Sequence, residues 1–335
     1  MLKLLKPITL LLLLTFTIIS CNKSNPIIQT REISLTKETE QVKDSIYPDH
    51  PITLIVAYKK DGGTDKSAQA LASVLKKYLP VDINIENVPG ADGELGYTQL
   101  CNSHGDGYTL GFINLPTFIT LPQDRKTQYC IEDIQPLANM VYDPSVLVVL
   151  KDSKYSTLDK FLEQAKEQPY RITVGNNGYG ASNHIATALL CEKANIKLTH
   201  VPFGGSADML MALKNKRVDA VVAKISEVAN IKEAKILCSF TKERIENFEM
   251  VPTLIENDIP LIFGSARAIV APKDMSKALV DYLTQVLNKA IKDPQLVSLC
   301  QDLNLPLLYM DKDELTTYIK EQNEYMKQML PNLPL

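Results

Sequence analysis

The stretch LIVAYKKDGGTDKSAQALASVL, residues 54–75, decides the reading of the fold. Leu54, Ile55 and Val56 form a short apolar run suited to a buried strand, and Gly62 and Gly63 interrupt it. From Asp65 the pattern turns helical, with Ala68, Leu71, Ala72 and Leu75 on one face. A glycine pair between a strand and a helix start leaves backbone N–H groups aimed at one point, a geometry that suits an anion.

The same pattern recurs twice. Gly175-Asn176-Asn177-Gly178-Tyr179-Gly180-Ala181-Ser182-Asn183-His184 follows one strand-like run and opens a helix, and Val201-Pro202-Phe203-Gly204-Gly205-Ser206-Ala207-Asp208 follows another. Thr64, Ser182 and Ser206 are expected where helix N-caps belong. Tight strand-to-helix turns need glycine for steric reasons alone. Three of them, flanked by Ser, Thr, Asn and His, favour a shared anion site. His184 is the one histidine in a glycine-rich turn, where it either donates to a ligand or ties its own loop.

Outward from these turns the chain alternates short apolar runs (Ile52–Ala57, Val81–Ile85, Thr109–Ile113, Val146–Leu150, Arg171–Val174, Ala220–Ala223, Ile236–Phe240, Ile269–Ala271) with amphipathic helical patterns. That alternation predicts an α/β protein with mostly parallel sheets flanked by helices, and ligands beyond the carboxyl ends of the strands. At 335 residues and 45% apolar composition, the chain is long enough for two domains. A net charge of −3 without a basic block argues against nucleic acid as a partner.

The N-terminus has a different character. Lys3 and Lys6 precede an apolar run, Ile8 to Ile19, too short to span a bilayer comfortably, and residues 1–20 read as a secretory signal. The run ends Ile18-Ile19-Ser20-Cys21, which resembles a bacterial lipobox, so cleavage before Cys21 and lipid on its thiol are expected. Residues 22–45 are polar and aperiodic and read as a tether. Lipid and tether together would hold the folded part beside a membrane. Five further cysteines, Cys101, Cys130, Cys191, Cys238 and Cys300, fit no zinc or redox spacing and read as small buried residues, with one disulfide open as an alternative.

Several chemistries find no support. The chain has no Walker-type phosphate loop G-x-x-x-x-G-K-S/T. Residues 175–180 run G-x-x-G-x-G, which is not the dinucleotide order, and no G-x-S-x-G elbow appears. None of the histidines His50, His104, His184 and His200 has an i+4 histidine partner. No cofactor, no metal and no catalytic activity is expected.

An ordered set of segments resembles the substrate-binding proteins of tripartite tricarboxylate transporters, the TctC or Bug family. They are Tyr47-Pro48, Pro51-Ile52, Gly62-Gly63-Thr64-Asp65, Glu86-Asn87-Val88-Pro89-Gly90-Ala91, Asp106-Gly107-Tyr108-Thr109-Leu110, Gly175 to His184, His200 to Ser206, Val218-Asp219, Val251-Pro252-Thr253 and Ala271-Pro272. The resemblance implies a two-lobed fold of the periplasmic-binding-protein type II class, a ligand cleft between lobes, and two chain crossings. Lobe one is placed at residues 46–145 plus 266–335 and lobe two at 146–265. It further implies a small organic carboxylate ligand (tricarboxylate, dicarboxylate or similar), a two-component membrane permease as partner, and a monomeric receptor. A sensor that reports the ligand to a membrane protein is the alternative use of the fold, and an enzyme acting on a small anion is a further alternative.

The expected ligand set is Tyr58, Gly62, Gly63, Thr64, Asp65, Asn114, Asn176, Asn177, Ser182, His184, Phe203, Gly204, Gly205, Ser206, Lys224 and Arg267. Tyr58 and Phe203 take the family's aromatic positions, and Asp65 is expected to hold a loop or bridge water. The chain departs from the family at Lys60-Asp61, where Pro-Gly is common, at Asp92, where glycine is common, and at Ala223-Lys224. Lys60, Lys224 and Arg267 would each add positive charge to a pocket unless they are solvated surface charges. Asp61 and Asp92 would instead suit an amine.

Overall fold

A computed structural model describes residues 47–333. The expected signal sequence, the lipidated Cys21 and the tether lie outside the described residues.

The quoted stretch builds β1 (Ile52–Val56) and α1 (Gly63–Leu75). β1 lies between β2 (Ile83–Asn87) and β3 (Thr109–Leu115), parallel to both. A second parallel group comprises β5 (Thr173–Asn176), β6 (Thr199–Pro202) and β7 (Ala220–Lys224). Helices α2 (Glu94–Cys101), α3 (Thr117–Asp124), α4 (Leu158–Glu167), α5 (Ser182–Ala194), α6 (Ser206–Lys214) and α7 (Ile225–Val228) connect these strands.

Two antiparallel strands join the groups. β9 (Gly264–Pro272) pairs with β3, and β4 (Ile134–Leu150) pairs with β9. β4 changes partners at one peptide unit: Pro144 faces Gly264 of β9, whereas Ser145 faces Lys224 of β7. At about 3.3 Å per residue its 17 residues reach about 56 Å, enough to serve both halves of the curled sheet. β8 (Ala234–Ser239) and β10 (Leu307–Met310) add to β4, and α8 (Lys277–Ile291), α9 (Pro294–Asp302) and α10 (Lys312–Met329) complete the described chain.

The sequence pattern shows only the last five residues of β4, because Pro136 and Pro144 interrupt its first part. Proline removes a ladder donor and marks irregular pairing, and the β4–β9 register shifts beside Pro136. Arg267, expected ahead of a strand, lies within β9. α5 is buried continuously from Ser182 to Cys191 and packs between sheet and helices, so it lacks an amphipathic stripe. One apolar cluster runs from Ile55, Tyr97 and Phe118 to Val174, Ile185 and Leu189, joining the two halves.

All five described cysteines are free, and four are buried as expected; Cys130 is exposed. Burial raises the thiol pKa of Cys101 to about 12 and of Cys191 to about 11, which makes both poor nucleophiles. Among the described residues no helix is long and apolar enough to cross a membrane.

Candidate functional site

The first and third glycine turns are linked by a relay of buried polar contacts where the two strand groups join, and the second touches the other half through Asp92. In each, the residue in the N-cap position is Gly62, Ala181 or Gly205, and none makes a side-chain cap. Thr64, Ser182 and Ser206 lie one position or more inside their helices, which corrects the expected capping role. The hydroxyls of Thr64 and Ser206 go elsewhere: Thr64 Oγ1 donates to Asn114 Oδ1 at 3.0 Å, and Ser206 Oγ to Glu227 Oε1 at 2.6 Å. Capping side chains commonly satisfy the first N–H groups of a helix. Without them, each helix start keeps donors and partial positive charge for another acceptor.

The first turn is held from below by Asp65. Its buried carboxylate accepts from Asp61 N–H (2.9 Å), Gln69 Nε2 (2.7 Å) and Asn87 Nδ2 (2.8 Å). The loop-holding role expected of Asp65 accounts for these bonds. Asp61 itself takes a left-handed conformation (φ 64°), which explains why glycine suits that position in relatives and why Asp, one of the residues that tolerates it, can replace it. Lys60 is exposed, and it is the solvated surface charge. Tyr58 and Tyr97 share a hydroxyl hydrogen bond of 2.9 Å beside the loop.

Gly63 meets Arg267 so closely that a Cβ there would lie 2.6 Å from Nη2. Arg267 is 2% exposed and pairs with Asp143, which is fully buried; it also donates to Ser67 Oγ at 3.2 Å, and its Nε has no partner. Asp143 accepts from the backbone N–H of Ser226 at 3.2 Å and from its hydroxyl. Beside it, Lys224 (3% exposed) donates to Ser145 Oγ at 2.7 Å, and its backbone N–H reaches Glu227 Oε2 at 2.9 Å. Contacts therefore run from the first turn through Arg267, Asp143, Ser226 and Glu227 to Ser206 in the third. Burial pulls the Lys224 pKa down to about 8, with Arg267 pushing the same way and Glu227 and Asp143 opposing. Lys224 and Arg267 are not surface charges.

The second turn closes on itself and touches the other half. Asn176 Oδ1 accepts from Gly178 N–H at 3.2 Å, and His184 Nδ1 accepts from Gly180 N–H at 3.0 Å. His184 thus ties its own loop. Its pKa falls to about 4, from burial and from His200 nearby, so it is neutral at pH 7. Gly178 has φ +135°, and a Cβ there would lie 3.0 Å from Asp92 Oδ1. Asp92 is in turn held by Arg125, which also grips Glu94 and the carbonyl of Ala91. Phe203 Cε2 packs 3.1 Å from the Cβ position of Gly175, placing the aromatic ring under the second turn.

Of the expected residues, Gly63, Thr64, Asn114 and Arg267 are thus linked by direct or relayed contacts to Ser206 and Lys224, whereas Asn176 and His184 bond within the second turn. Asp143, Ser145, Asn183 and Glu227 were not singled out by pattern. Only the pairing of β4 with β9 reveals Asp143 as the partner of Arg267. Glu227, the third residue of α7, accepts from the backbone N–H of Lys224 at the start of that helix, a bond that the sequence Lys224-Ile225-Ser226-Glu227 does not signal because lysine cannot act as a capping acceptor. Among the described residues, no group of three or more His, Cys, Asp or Glu is arranged to hold a metal ion.

A two-group α/β sheet joined by two antiparallel strands, with uncapped helix starts on both groups, is an architecture suited to holding a small anion. The chain matches the family described as "Tripartite tricarboxylate transporter family receptor" over residues 67–335, and it belongs to that family. It is similar to protein BugT of Bordetella pertussis, with 28% identity over 266 residues, covering 76% of this chain and 81% of BugT. Among solved structures, a TctC solute binding protein from Polaromonas is 29% identical, covers 86% of this chain and 100% of its own, and superposes with a TM-score of 0.70. MatC from Rhodopseudomonas palustris with bound malate shares the fold at 23% identity, with a TM-score of 0.76 over 84% of this chain and 99% of its own. The chain is a receptor and not an enzyme.

Proposed function

We propose that this protein is an exported, lipid-anchored receptor that captures a small organic carboxylate and presents it to a two-component membrane permease. Cys21 carries the lipid and residues 22–45 form the tether. Residues 46–145 plus 266–335 act as one lobe and 146–265 as the other, and the protein works as a monomer. The observation that carries the reading is the Gly63–Arg267 contact: a buried guanidinium, bonded through its Nη atoms to Asp143 and Ser67 and keeping Nε unpartnered, stands beside an uncapped helix start. A carboxylate is the small group that satisfies both, accepting from backbone N–H groups and from a planar cation.

The ligand-binding residues are those that the three turns contribute, with Thr64, Asn114, Asn176, Asn177, Ser182 and Ser206 as neutral hydrogen-bonding groups and Lys224 and Arg267 as cations. Tyr58 and Phe203 supply apolar walls. Closure of the lobes brings the helix starts onto one ligand, and the ligand shifts the open–closed equilibrium by its preference for the closed form. Malate in a relative of the same fold supports a dicarboxylate as the ligand class. The test is thermal melting of protein first unfolded, dialysed and refolded to remove carried ligand, against a broad panel of carboxylates. A ligand at a hundred times its Kd should add about 2.7 kcal/mol. A flat response across the panel would refute the reading. For the anchor, Cys21→Ser should release the protein from the membrane fraction.

A further inference from the structure

Asn183 is the second residue of α5, fully buried, and neither its Nδ2 nor its Oδ1 has a hydrogen-bond partner. Asn176, also fully buried, spends its Oδ1 on Gly178 and leaves Nδ2 unpartnered, and Asn177 adds an unpartnered Oδ1. These atoms flank the turn that faces the other half of the molecule, where Asp92 Oδ1 comes within 3.0 Å of the Gly178 Cβ position. Buried amides are almost always bonded, to protein or to ordered water, so unpartnered ones in this turn and in the first turn of the uncapped helix that follows it are free to meet a ligand.

The chemistry of these atoms restricts that ligand further. A carboxylate only accepts hydrogen bonds. It satisfies helix N–H groups, Arg267 and an amide N–H, but it offers nothing to a carbonyl-type oxygen. The Oδ1 atoms of Asn177 and Asn183 require a donor. We propose that Asn183 is a specificity residue that reads a hydrogen-bond donor on the ligand, so that the site selects hydroxy- or amino-substituted carboxylates over the unsubstituted acids. The inference rests on the carboxylate-receptor reading.

The experiment is isothermal titration of the ligand-free protein with two matched sets: succinate, malate and aspartate, then glutarate, 2-hydroxyglutarate and glutamate. Within each set the carbon chain and the two carboxylates are constant; the hydroxy acid adds a donor at unchanged charge, and the amino acid adds a donor that carries a positive charge. In at least one set a donor-bearing acid should bind about a hundredfold tighter than its unsubstituted partner, since a site built around a ligand hydroxyl or amine leaves its own polar groups unpaired without it. In Asn183→Leu that gap should shrink to less than about tenfold, because the group that reads the donor is gone and only a difference in fit remains. The ligand-free variant should melt no lower than the parent, because an unpaired buried amide has given way to an apolar group of similar size. A large fall in its melting temperature would show the amide to be structural and overturn the proposal. Equal affinity for substituted and unsubstituted acids in the parent protein would overturn it while leaving the carboxylate receptor intact, even where the variant fails to fold. Failure of every carboxylate to bind would remove the receptor reading and the proposal with it.

Discussion

Replacing Asp143 with Asn strips one charge from the most enclosed ionic cluster of the described chain. Asp143 has no exposed surface, and it faces Arg267, which is 2% exposed, and both the N–H and hydroxyl of Ser226. Lys224, itself buried, draws electrostatic support from the same carboxylate. Breaking one partner of a buried pair leaves an uncompensated charge and costs about 3–5 kcal/mol. Asn keeps one accepting oxygen for the guanidinium, which places Asp143→Asn near about 3 kcal/mol and Asp143→Ala near about 5 kcal/mol. For a chain of this size that is a fall of about 6–10 °C in melting temperature, at about 2 °C per kcal/mol. Equilibrium urea unfolding, followed by circular dichroism, gives the free energy directly provided the slope is unchanged. The loss should persist at high salt, because screening acts weakly on buried pairs. A double variant, Asp143→Leu with Arg267→Met, should recover more than half of the loss by removing the stranded cation. A cost below about 1 kcal/mol for Asp143→Asn, or a loss that salt abolishes, would refute the burial argument.

Further predictions concern protonation and the turns. The folded-state pKa of Lys224 lies at about 8, below its ordinary 10.5, so between these values the unfolded chain binds the extra proton. Stability should therefore rise from pH 8 to 10.5 in the parent relative to Lys224→Met, by up to about 3 kcal/mol, read from urea midpoints at each pH. His184, with its pKa lowered to about 4 from 6.5, should weaken the fold as pH falls through that window, and its ring resonances should hold neutral-form shifts at pH 6 in an NMR titration. Asp65→Ala strands three donors and frees the Asp61–Gly63 loop, so a stability loss of about 2–4 kcal/mol and weaker ligand binding are expected by melting and titration. Gly178→Ala combines a left-handed strain of about 1–3 kcal/mol with a clash against Asp92, and should lower ligand affinity more than it lowers the melting temperature of the ligand-free protein.

Much was legible from the order of residues because the relevant physics is local. The strand, glycine pair and helix of residues 54–75 follow from apolar periodicity and from the conformational freedom of glycine, and β1 and α1 form close to where the pattern puts them. The three strand-to-helix turns follow by the same logic. What the pattern could not carry was pairing over distance. The first part of β4 hides behind Pro136 and Pro144, and its register with β9 is what makes Asp143 the partner of Arg267. Thr64 and Ser206 look like caps in one dimension; in three, Asn114 and Glu227 stand closer to their hydroxyls than their own helix ends do. Lys224 and Arg267 read as either surface or pocket charges until burial and a buried carboxylate decide the matter. Asn183 reads as an ordinary polar residue at a helix start, and only complete burial without a partner gives it meaning. Secondary structure and turn chemistry depend on neighbours a few residues apart, which sequence displays. The cost of burying a charge or an amide depends on which distant groups surround it, and that is decided only when the chain has closed on itself.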